Sequence, residues 1–233
     1  MKRKINFSVY LLLMLTSCVF ATDGSGKIAT ETRSVEKFSG VELKSSANVY
    51  ITQGETQEVK IEAEDNLLQY ITAQVKNDEL IIDCKENIHA HAPINIYITV
   101  KEICLLELSG SGKIVTKNEI TCDHMTLRLG GSGDLDVALK AQQLKATLAG
   151  SGTLNLRGSS AESMIRITGS GNINAQQLKT FTSSVNISGS GNTKVDVNNE
   201  LTVSISGSGN VLYVTEPAKL TKIISGSGGV RKI

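Results

Sequence analysis

Apolar and polar residues recur with a fixed period in the second half of the chain, around a Gly-Ser-Gly motif that occurs seven times. Successive motifs lie 18 to 21 residues apart. A period of about 20 residues held over seven copies is typical of stacked structural repeats. The middle residues of the motifs are Ser111, Ser132, Ser151, Ser170, Ser190, Ser208 and Ser227. The repeat, and not the single motif, is therefore the unit of the predicted fold.

The residues on either side of each motif serine alternate in polarity. Of the fourteen positions three residues before or after a motif serine, thirteen are aliphatic, and the exception is Thr193. The positions five residues before the serine are apolar in six repeats and Lys222 in the seventh. A period of two is the signature of a β-strand with one buried face. Each repeat is thus predicted to contain a strand, a Gly-Ser-Gly corner, a second strand and a polar turn, as at residues 141–143 and 197–200.

One such repeat cannot bury its apolar face by itself, so the repeats must stack. Seven units at the strand spacing of ~4.8 Å give a column roughly 30 Å tall, in which each strand pairs with the equivalent strand of the next coil. The predicted fold class is therefore all-β, a parallel β-helix of about seven short coils. An antiparallel meander or barrel is the alternative, but hairpins give no reason for one motif to recur in one phase.

Residues 38–100 alternate less regularly than the repeats. Strands are predicted within 48–54, 58–64, 66–84 and 94–100, with a tight turn at residues 76–78. Because repeat proteins need atypical ends, we assign 38–100 to an N-terminal β cap, 101–233 to the Gly-Ser-Gly β-helix and 22–37 to a linker. Beyond Ser227, Arg231 and Lys232 place charge at the edge of the last coil, which is one way to protect an open edge. A partner stacked there, including a second copy of the chain, is the other.

The first 21 residues have the pattern of a secretory signal. A basic start (MKRK) precedes an apolar run over residues 5–15, which is too short to cross a membrane well as a helix. Two cleavage patterns compete. Residues 15–18 (LTSC) resemble a bacterial lipobox, which would make Cys18 a lipidated N-terminus, while residues 19–21 (VFA) suit ordinary signal peptidase. Both predict an exported protein, in contact with a membrane only through the lipid of Cys18.

Composition and charge limit the width of the predicted core and the classes of partner. Only 4% of the residues are aromatic and none is Trp, so aliphatic side chains must fill a narrow core. Removal of Lys2, Arg3 and Lys4 with the signal leaves 21 of the 24 basic residues against 23 acidic ones. Such a near-neutral chain lacks the excess of positive charge that binds phosphates, which argues against a nucleic-acid partner.

Cysteines and histidines leave three alternatives open. Cys84, Cys104 and Cys122 follow Cys18, and an odd number of thiols allows one bridge at most. Cys122 lies two residues before His124. His89 and His91 form an H-x-H pair, which places both rings on one face of a strand. Nothing in the spacing brings the two groups together. We therefore expect buried thiols or a single bridge, with no metal site and no cofactor.

The segment from residue 38 to 82, FSGVELKSSANVYITQGETQEVKIEAEDNLLQYITAQVKNDELII, followed by serial Gly-Ser-Gly repeats, resembles the bacterial head GIN domain family, which carries the label "putative auto-transporter adhesin". The resemblance covers residues 38–233. It implies a right-handed β-helix-like fold, an envelope or surface location and no established activity, and it supplies no catalytic residues. A translocating barrel would need many further strands of about ten residues after the repeats, and the printed sequence contains none.

The motifs do not fit the chemistry of known Gly-rich loops. Phosphate loops lead into a helix, and no Gly-Ser-Gly motif precedes a helical pattern. The calcium-binding nonapeptide needs a carboxylate where Leu135 stands, between Asp134 and Asp136. Polysaccharide-cleaving sites need carboxylates on neighbouring coils, and Thr153 and Asn155 occupy the equivalent places one repeat later.

What remains is a structural motif that makes a surface. The period of two places both glycines of each motif on the core side and the serine outside. The seven motif serines, with Asn172, Asn192 and Asn210 beside them, would form a flat polar ladder. We therefore expect an exported non-catalytic envelope protein that binds a glycan or a surface protein through this ladder. The alternatives are a structural envelope protein that assembles through its last coil or, with less support, a polysaccharide-acting enzyme.

Overall fold

The computed structural model of the chain describes residues 21–84 and 87–233. Apart from one 3-10 helix, Leu68–Tyr70, the regular elements of this described part are all strands. They are β1 (Thr22–Asp23), β2 (Ile28–Arg33), β3 (Gly40–Leu43), β4 (Asn48–Gln53), β5 (Glu58–Glu64), β6 (Ile71–Lys76), β7 (Glu79–Cys84), β8 (Ile88–His89), β9 (Asn95–Val100), β10 (Leu105–Leu108), β11 (Lys113–Thr116), β12 (Ile120–Leu129), β13 (Asp134–Gly150), β14 (Thr153–Gly169), β15 (Asn172–Gly189), β16 (Asn192–Gly207), β17 (Asn210–Tyr213), β18 (Lys219–Ser225) and β19 (Gly229–Lys232).

The repeats stack as a parallel β-helix, as the period predicts. β13 pairs with β14 in parallel from Asp134↔Thr153 to Gly150↔Gly169, and β14 pairs with β15 in the same way. The Gly-Ser-Gly corners therefore lie directly above one another along the column. Parallel pairing between equivalent residues of successive repeats excludes the antiparallel meander for this part of the chain.

The polar turns do not interrupt the strands. β13, β14, β15 and β16 each run for 16 to 18 residues from one corner to the next. The expected break at residues 141–143 is absent because Ala141 still pairs with Ser160 of the next coil. The hydrogen bonds of a parallel ladder join one coil to the next and not two segments of the same coil. The chain can therefore bend within a coil while its backbone groups stay paired with the neighbouring coil.

The interior of the column is a single stack of aliphatic side chains. Ile167 and Ile173, on either side of one corner, are 0% exposed. Thr193, the one polar residue among the fourteen flanking positions, is also buried, and its hydroxyl donates to the carbonyl of Ile173 at 2.8 Å. A buried hydroxyl that is paired in this way carries little penalty, which explains why the column accepts it.

The N-terminal part joins the same column by a longer route. β3 and β4 pair in parallel with β10 and β11, and also with β7 and β9 on their other side. Antiparallel partners then cover this end, since β2 and β9 flank β5, and β6 pairs with β7. The first coil in sequence, β3–β4, is therefore an inner layer of the stack.

Two local expectations have different outcomes. The tight turn at residues 76–78 is confirmed, because Asn77 and Asp78 have φ values of 52° and 65° between the antiparallel strands β6 and β7. Residues 22–37, expected to be a linker, instead contain β1 and β2. β2 pairs with β5 along its whole length, so this segment is part of the sheet.

At the other end, the last coil is less covered than the rest. Ile224 of β18 stands at a position that is buried in the six preceding repeats, yet it is 41% exposed. Ile223 beside it is 63% exposed. In the described chain the residue pairs of β18 are all with β16, so its outer edge and apolar face have no cover. Self-association through this end stays a prediction.

Candidate binding surface

The corners are held by close contact between stacked backbones. Gly189 has φ 126°, and a Cβ added there would lie 2.5 Å from the carbonyl oxygen of Gly169 in the preceding coil. Gly191, on the other side of Ser190, has an ordinary φ but a Cβ there would meet both Gly171 O and Ile167 Cγ2 at 2.5 Å. The glycines thus allow the coils to approach, and their function is structural.

The serine between the glycines points to solvent in all seven corners. None of the seven ladder hydroxyls has a hydrogen-bond partner within residues 21–84 and 87–233. Each hydroxyl can donate one hydrogen bond and accept two. The serine ladder is therefore a row of unused polar groups at one strand spacing from each other, fixed by a rigid backbone.

The amide groups beside the serines behave differently, because they bond to one another. Asn192 donates through Nδ2 to Oδ1 of Asn172 at 3.2 Å, and Asn210 donates to Oδ1 of Asn192 at 3.0 Å. The backbone N–H of Asn210 reaches the same oxygen at 3.1 Å. These bonds fix the orientation of the amides next to Ser170, Ser190 and Ser208.

A further set of polar side chains extends the ladder, and the sequence analysis missed it. Outward positions of β15 and β16 before the corner pair residue for residue in the ladder between the two strands. They are Ser184, Asn186 and Ser188 on β15 and Thr202, Ser204 and Ser206 on β16. The alternation that predicts the buried residues of each strand also predicts these six, because they occupy the positions between the buried ones. We call these six residues, with the seven motif serines and Asn172, Asn192 and Asn210, the polar face.

The polar face has no charged side chain on β15 and β16. Its outward residues from 184 to 192 and from 202 to 210 are all uncharged. Charges occur on the earlier coils, where Arg128 pairs with Glu107 at 2.9 Å and Arg157 pairs with Asp136. A neutral array of hydroxyls and amides suits a neutral polar ligand better than a phosphate or a carboxylate.

A groove borders the polar face at Ser184 and Thr202. It has a volume of about 660 Å³ and crosses β12 to β16, with Gln143, Glu162 and Glu200 among its lining residues. Glu162 accepts from Nε2 of Gln143 at 3.3 Å, and Glu200 pairs with Lys219 at 2.7 Å. Both carboxylates thus have ordinary surface partners.

The thiols and imidazoles lie in two separate places. No disulfide joins Cys84, Cys104 and Cys122 in the described residues, so the bridge that the sequence left open is absent. The expectation of buried thiols is wrong for Cys104, which is exposed, while Cys84 and Cys122 are half-buried. Burial raises the pKa of the Cys122 thiol to about 11, and the neighbouring Cys104 and Asp123 add to this effect. A thiol with so high a pKa is a poor metal ligand at neutral pH. His124, near Cys122, bonds instead to Oε1 of Gln143 at 3.1 Å.

The predicted lipidation site, Cys18, and the signal segment before it lie outside the described residues. In the part of the chain that is described, no helix has the length and apolar character needed to cross a membrane.

Comparison with known proteins agrees with this geometry. The family described as "Putative auto-transporter adhesin, head GIN domain" matches residues 37–217. A crystal structure of a putative adhesin from Bacteroides fragilis NCTC 9343 is 22% identical with a TM-score of 0.86, and covers 91% of this chain and 100% of its own. No curated protein matches the chain significantly.

Two further crystal structures share the fold. A putative lipid binding protein from Parabacteroides distasonis ATCC 8503 has a TM-score of 0.78 at 22% identity, covering 92% of this chain and 100% of its own. A putative adhesin from Parabacteroides merdae ATCC 43184 has a TM-score of 0.73 at 21% identity, with coverages of 91% and 99%. At these identities the similarity concerns the fold.

Proposed function

Since the chain belongs to the head GIN domain family, we propose that it is an exported, non-catalytic binding module of the cell envelope that contacts a neutral glycan through its polar face. The family and several structural relatives are named as adhesins, which supports a binding function in general terms. The choice of surface and of ligand class rests on this chain's own residues.

The row of unpartnered hydroxyls is the observation that carries the proposal. Ser170, Ser190 and Ser208 occupy equivalent corners of three successive coils, at one strand spacing of ~4.8 Å from coil to coil. Their backbones are fixed by the parallel ladders, so a ligand that bonds to them does not have to order a flexible loop. Repeating hydroxyls at regular spacing match a chain of sugars, which offers hydroxyls in a regular series of its own.

The neutral character of this surface supports a glycan over a charged partner. The uncharged outward residues of β15 and β16 continue from the groove at Ser184 to the corner at Ser190. A ligand lying across them exchanges water hydrogen bonds for protein hydrogen bonds and pays no cost for burying an unpaired charge. Binding of this kind is weak at each contact and gains strength from the number of contacts.

Replacing Ser170, Ser190 and Ser208 together by Ala tests the polar face. Three lost hydrogen bonds at about 0.5–1 kcal/mol each predict binding weaker by roughly tenfold to a hundredfold. Binding of the full mature chain and the variant is measured on insoluble neutral polysaccharides and on whole bacterial cells. Folding is expected to persist, because exposed side chains of this kind change stability by less than about 0.5 kcal/mol.

The matched control removes three exposed hydroxyls at the N-terminal end of the column, those of Thr30, Thr32 and Ser34. These residues also lack a side-chain hydrogen bond within the described ranges. We expect this variant to bind like the unmodified chain. Equal binding by the corner variant, or equal loss in both variants, contradicts a ligand on the polar face.

We also propose that Cys18 is the lipidated N-terminus of the mature protein, on the basis of the lipobox-like residues 15–18. Mass spectrometry of the mature protein is then expected to show a diacylated Cys18, and Cys18→Ser is expected to move the protein from the membrane fraction to the soluble fraction. An unmodified N-terminus at Thr22 would rule out this anchor.

A further inference from the structure

Asp23, His89 and His91 bring one potential ligand atom each to within 4.8 Å of one another. β1 and β8 form a two-stranded parallel sheet in which Asp23 stands opposite His89. Oδ1 of Asp23 lies 3.0 Å from Nδ1 of His89, and the rings of His89 and His91 meet edge to face with their centroids 5.0 Å apart. The H-x-H pair thus acquires a carboxylate from a residue 66 positions earlier in the chain.

The backbone of each of these residues is held from outside the cluster. Glu64, which is buried, accepts from the backbone N–H of His91 at 2.8 Å. Asn66 donates through Nδ2 to the carbonyl of Asp23 at 2.7 Å, and the N–H of Gly24 bonds to the carbonyl of His89 at 2.9 Å. The three side chains are therefore exposed groups on a positioned backbone, which lowers the cost of bringing them onto one ion.

We propose that Asp23, His89 and His91 form a binding site for one divalent transition-metal ion of the Zn²⁺ class. Two imidazoles and one carboxylate are typical ligands of such ions, whereas Ca²⁺ and Mg²⁺ prefer oxygen ligands alone. With metal–ligand bonds of about 2.0–2.1 Å in a tetrahedral arrangement, two ligand atoms lie roughly 3.3 Å apart. The 3.0 Å between Oδ1 of Asp23 and Nδ1 of His89 is close to this distance. The ligand atom of His91 lies within 4.8 Å of both.

The site leaves at least one coordination position for water or for a ligand from outside. It also has a structural effect, because a bound ion would fasten the strand that contains Asp23 to the segment that contains the two histidines. Asp23 is the fifth residue after Cys18, so the ion would hold the start of the domain in place next to the proposed anchor.

The chain provides its own control, since it contains only three histidines and His124 lies elsewhere. The mature protein is stripped of metal, and Zn²⁺ binding is measured by isothermal titration calorimetry with Mg²⁺ as the comparison ion. We expect one Zn²⁺ per chain and no Mg²⁺ heat. Asp23→Asn, His89→Ala and His91→Ala are each expected to weaken Zn²⁺ binding by about tenfold or more, while His124→Ala and Cys104→Ser leave it unchanged.

An NMR titration gives a second readout that does not depend on these variants. Zn²⁺ is expected to shift the imidazole signals of His89 and His91 before that of His124. Absence of Zn²⁺ binding at millimolar concentration, an equal effect of His124→Ala, or a stoichiometric site that survives Asp23→Asn and His89→Ala together would overturn the proposal.

Discussion

Replacing Gly189 by Ala is expected to destabilise the protein by about 3 kcal/mol, because the new methyl group meets two separate penalties. The backbone at Gly189 has φ 126°, a conformation that costs a residue with a side chain roughly 1–3 kcal/mol. The Cβ would also lie 2.5 Å from Gly169 O, so the stacked coils must separate locally, at about 1–3 kcal/mol more. Chemical denaturation of the full mature chain measures the loss.

Substitutions at two other glycines measure the backbone strain and the close contact separately. Gly191→Ala adds the contact with the preceding coil at an ordinary φ, and we expect a loss of about 2 kcal/mol. Gly26→Ala adds only the strain of φ 74°, since no atom lies within 4 Å of the new Cβ, and we expect about 1 kcal/mol. If Gly189→Ala were no worse than Gly26→Ala, close stacking would not be the reason for the motif.

Replacing Lys179 by Met is expected to cost about 2 kcal/mol at pH 7, since it leaves a buried carboxylate without its ion pair. The Asp196 side chain is 1% exposed, while the side chain of Lys179, whose ammonium bonds to it, is 65% exposed. Burial raises the pKa of the Asp196 carboxyl, but Lys179 and Thr215 together outweigh burial and hold the pKa below its ordinary value. The partly exposed lysine makes the loss smaller than for a fully buried pair.

The direction of the pH dependence follows from the lowered pKa. A carboxyl with a lowered folded-state pKa contributes stability that is present above its unfolded pKa of about 3.9 and is lost as the pH falls through the folded value. The difference in unfolding free energy between the unmodified chain and Lys179→Met should therefore narrow below about pH 4. Lys219→Met, which breaks the exposed pair with Glu200, is the control and should cost less than about 1 kcal/mol. A gap that stays constant down to pH 2 would contradict this assignment.

The parts of the fold that depend on local alternation could be predicted from the sequence. Ile167 and Ile173 are inside and Ser170 is outside because side chains along a strand alternate and the corner preserves the phase. The same rule located the buried flanking residues of six repeats and failed in the seventh, where Ile224 is 41% exposed and Val230 is only half-buried. Their exposure depends on whether another layer covers them, which no local pattern encodes.

The parts that depend on distant pairing could not be predicted. Residues 44–47 (KSSA) form the corner of the β3–β4 coil, but they lack the Gly-Ser-Gly motif that identifies the other corners. Asp23 reaches His89 only because β1 pairs with β8, and two residues are too few to predict a strand. The burial of Asp196 results from a bend in which residues 176–178 of β15 have no partner on β16. The sequence shows the shorter repeat there, but not which side chain the tighter bend encloses.

The inner position of the β3–β4 coil has a consequence for how the chain folds. Each repeat closes a loop of about 19 residues when it pairs with its neighbour, as from Asp134 to Thr153, whereas Leu105 pairs with Gly40 across 65 residues. Loop-closure entropy makes that pairing more costly by about 1 kcal/mol. The repeats can therefore assemble one after another with short-range contacts, and we expect the pairing of β3–β4 with β10–β11 to be the slow step. During synthesis β3 and β4 leave the ribosome first, yet their pairing with β10 and β11 is expected to form last.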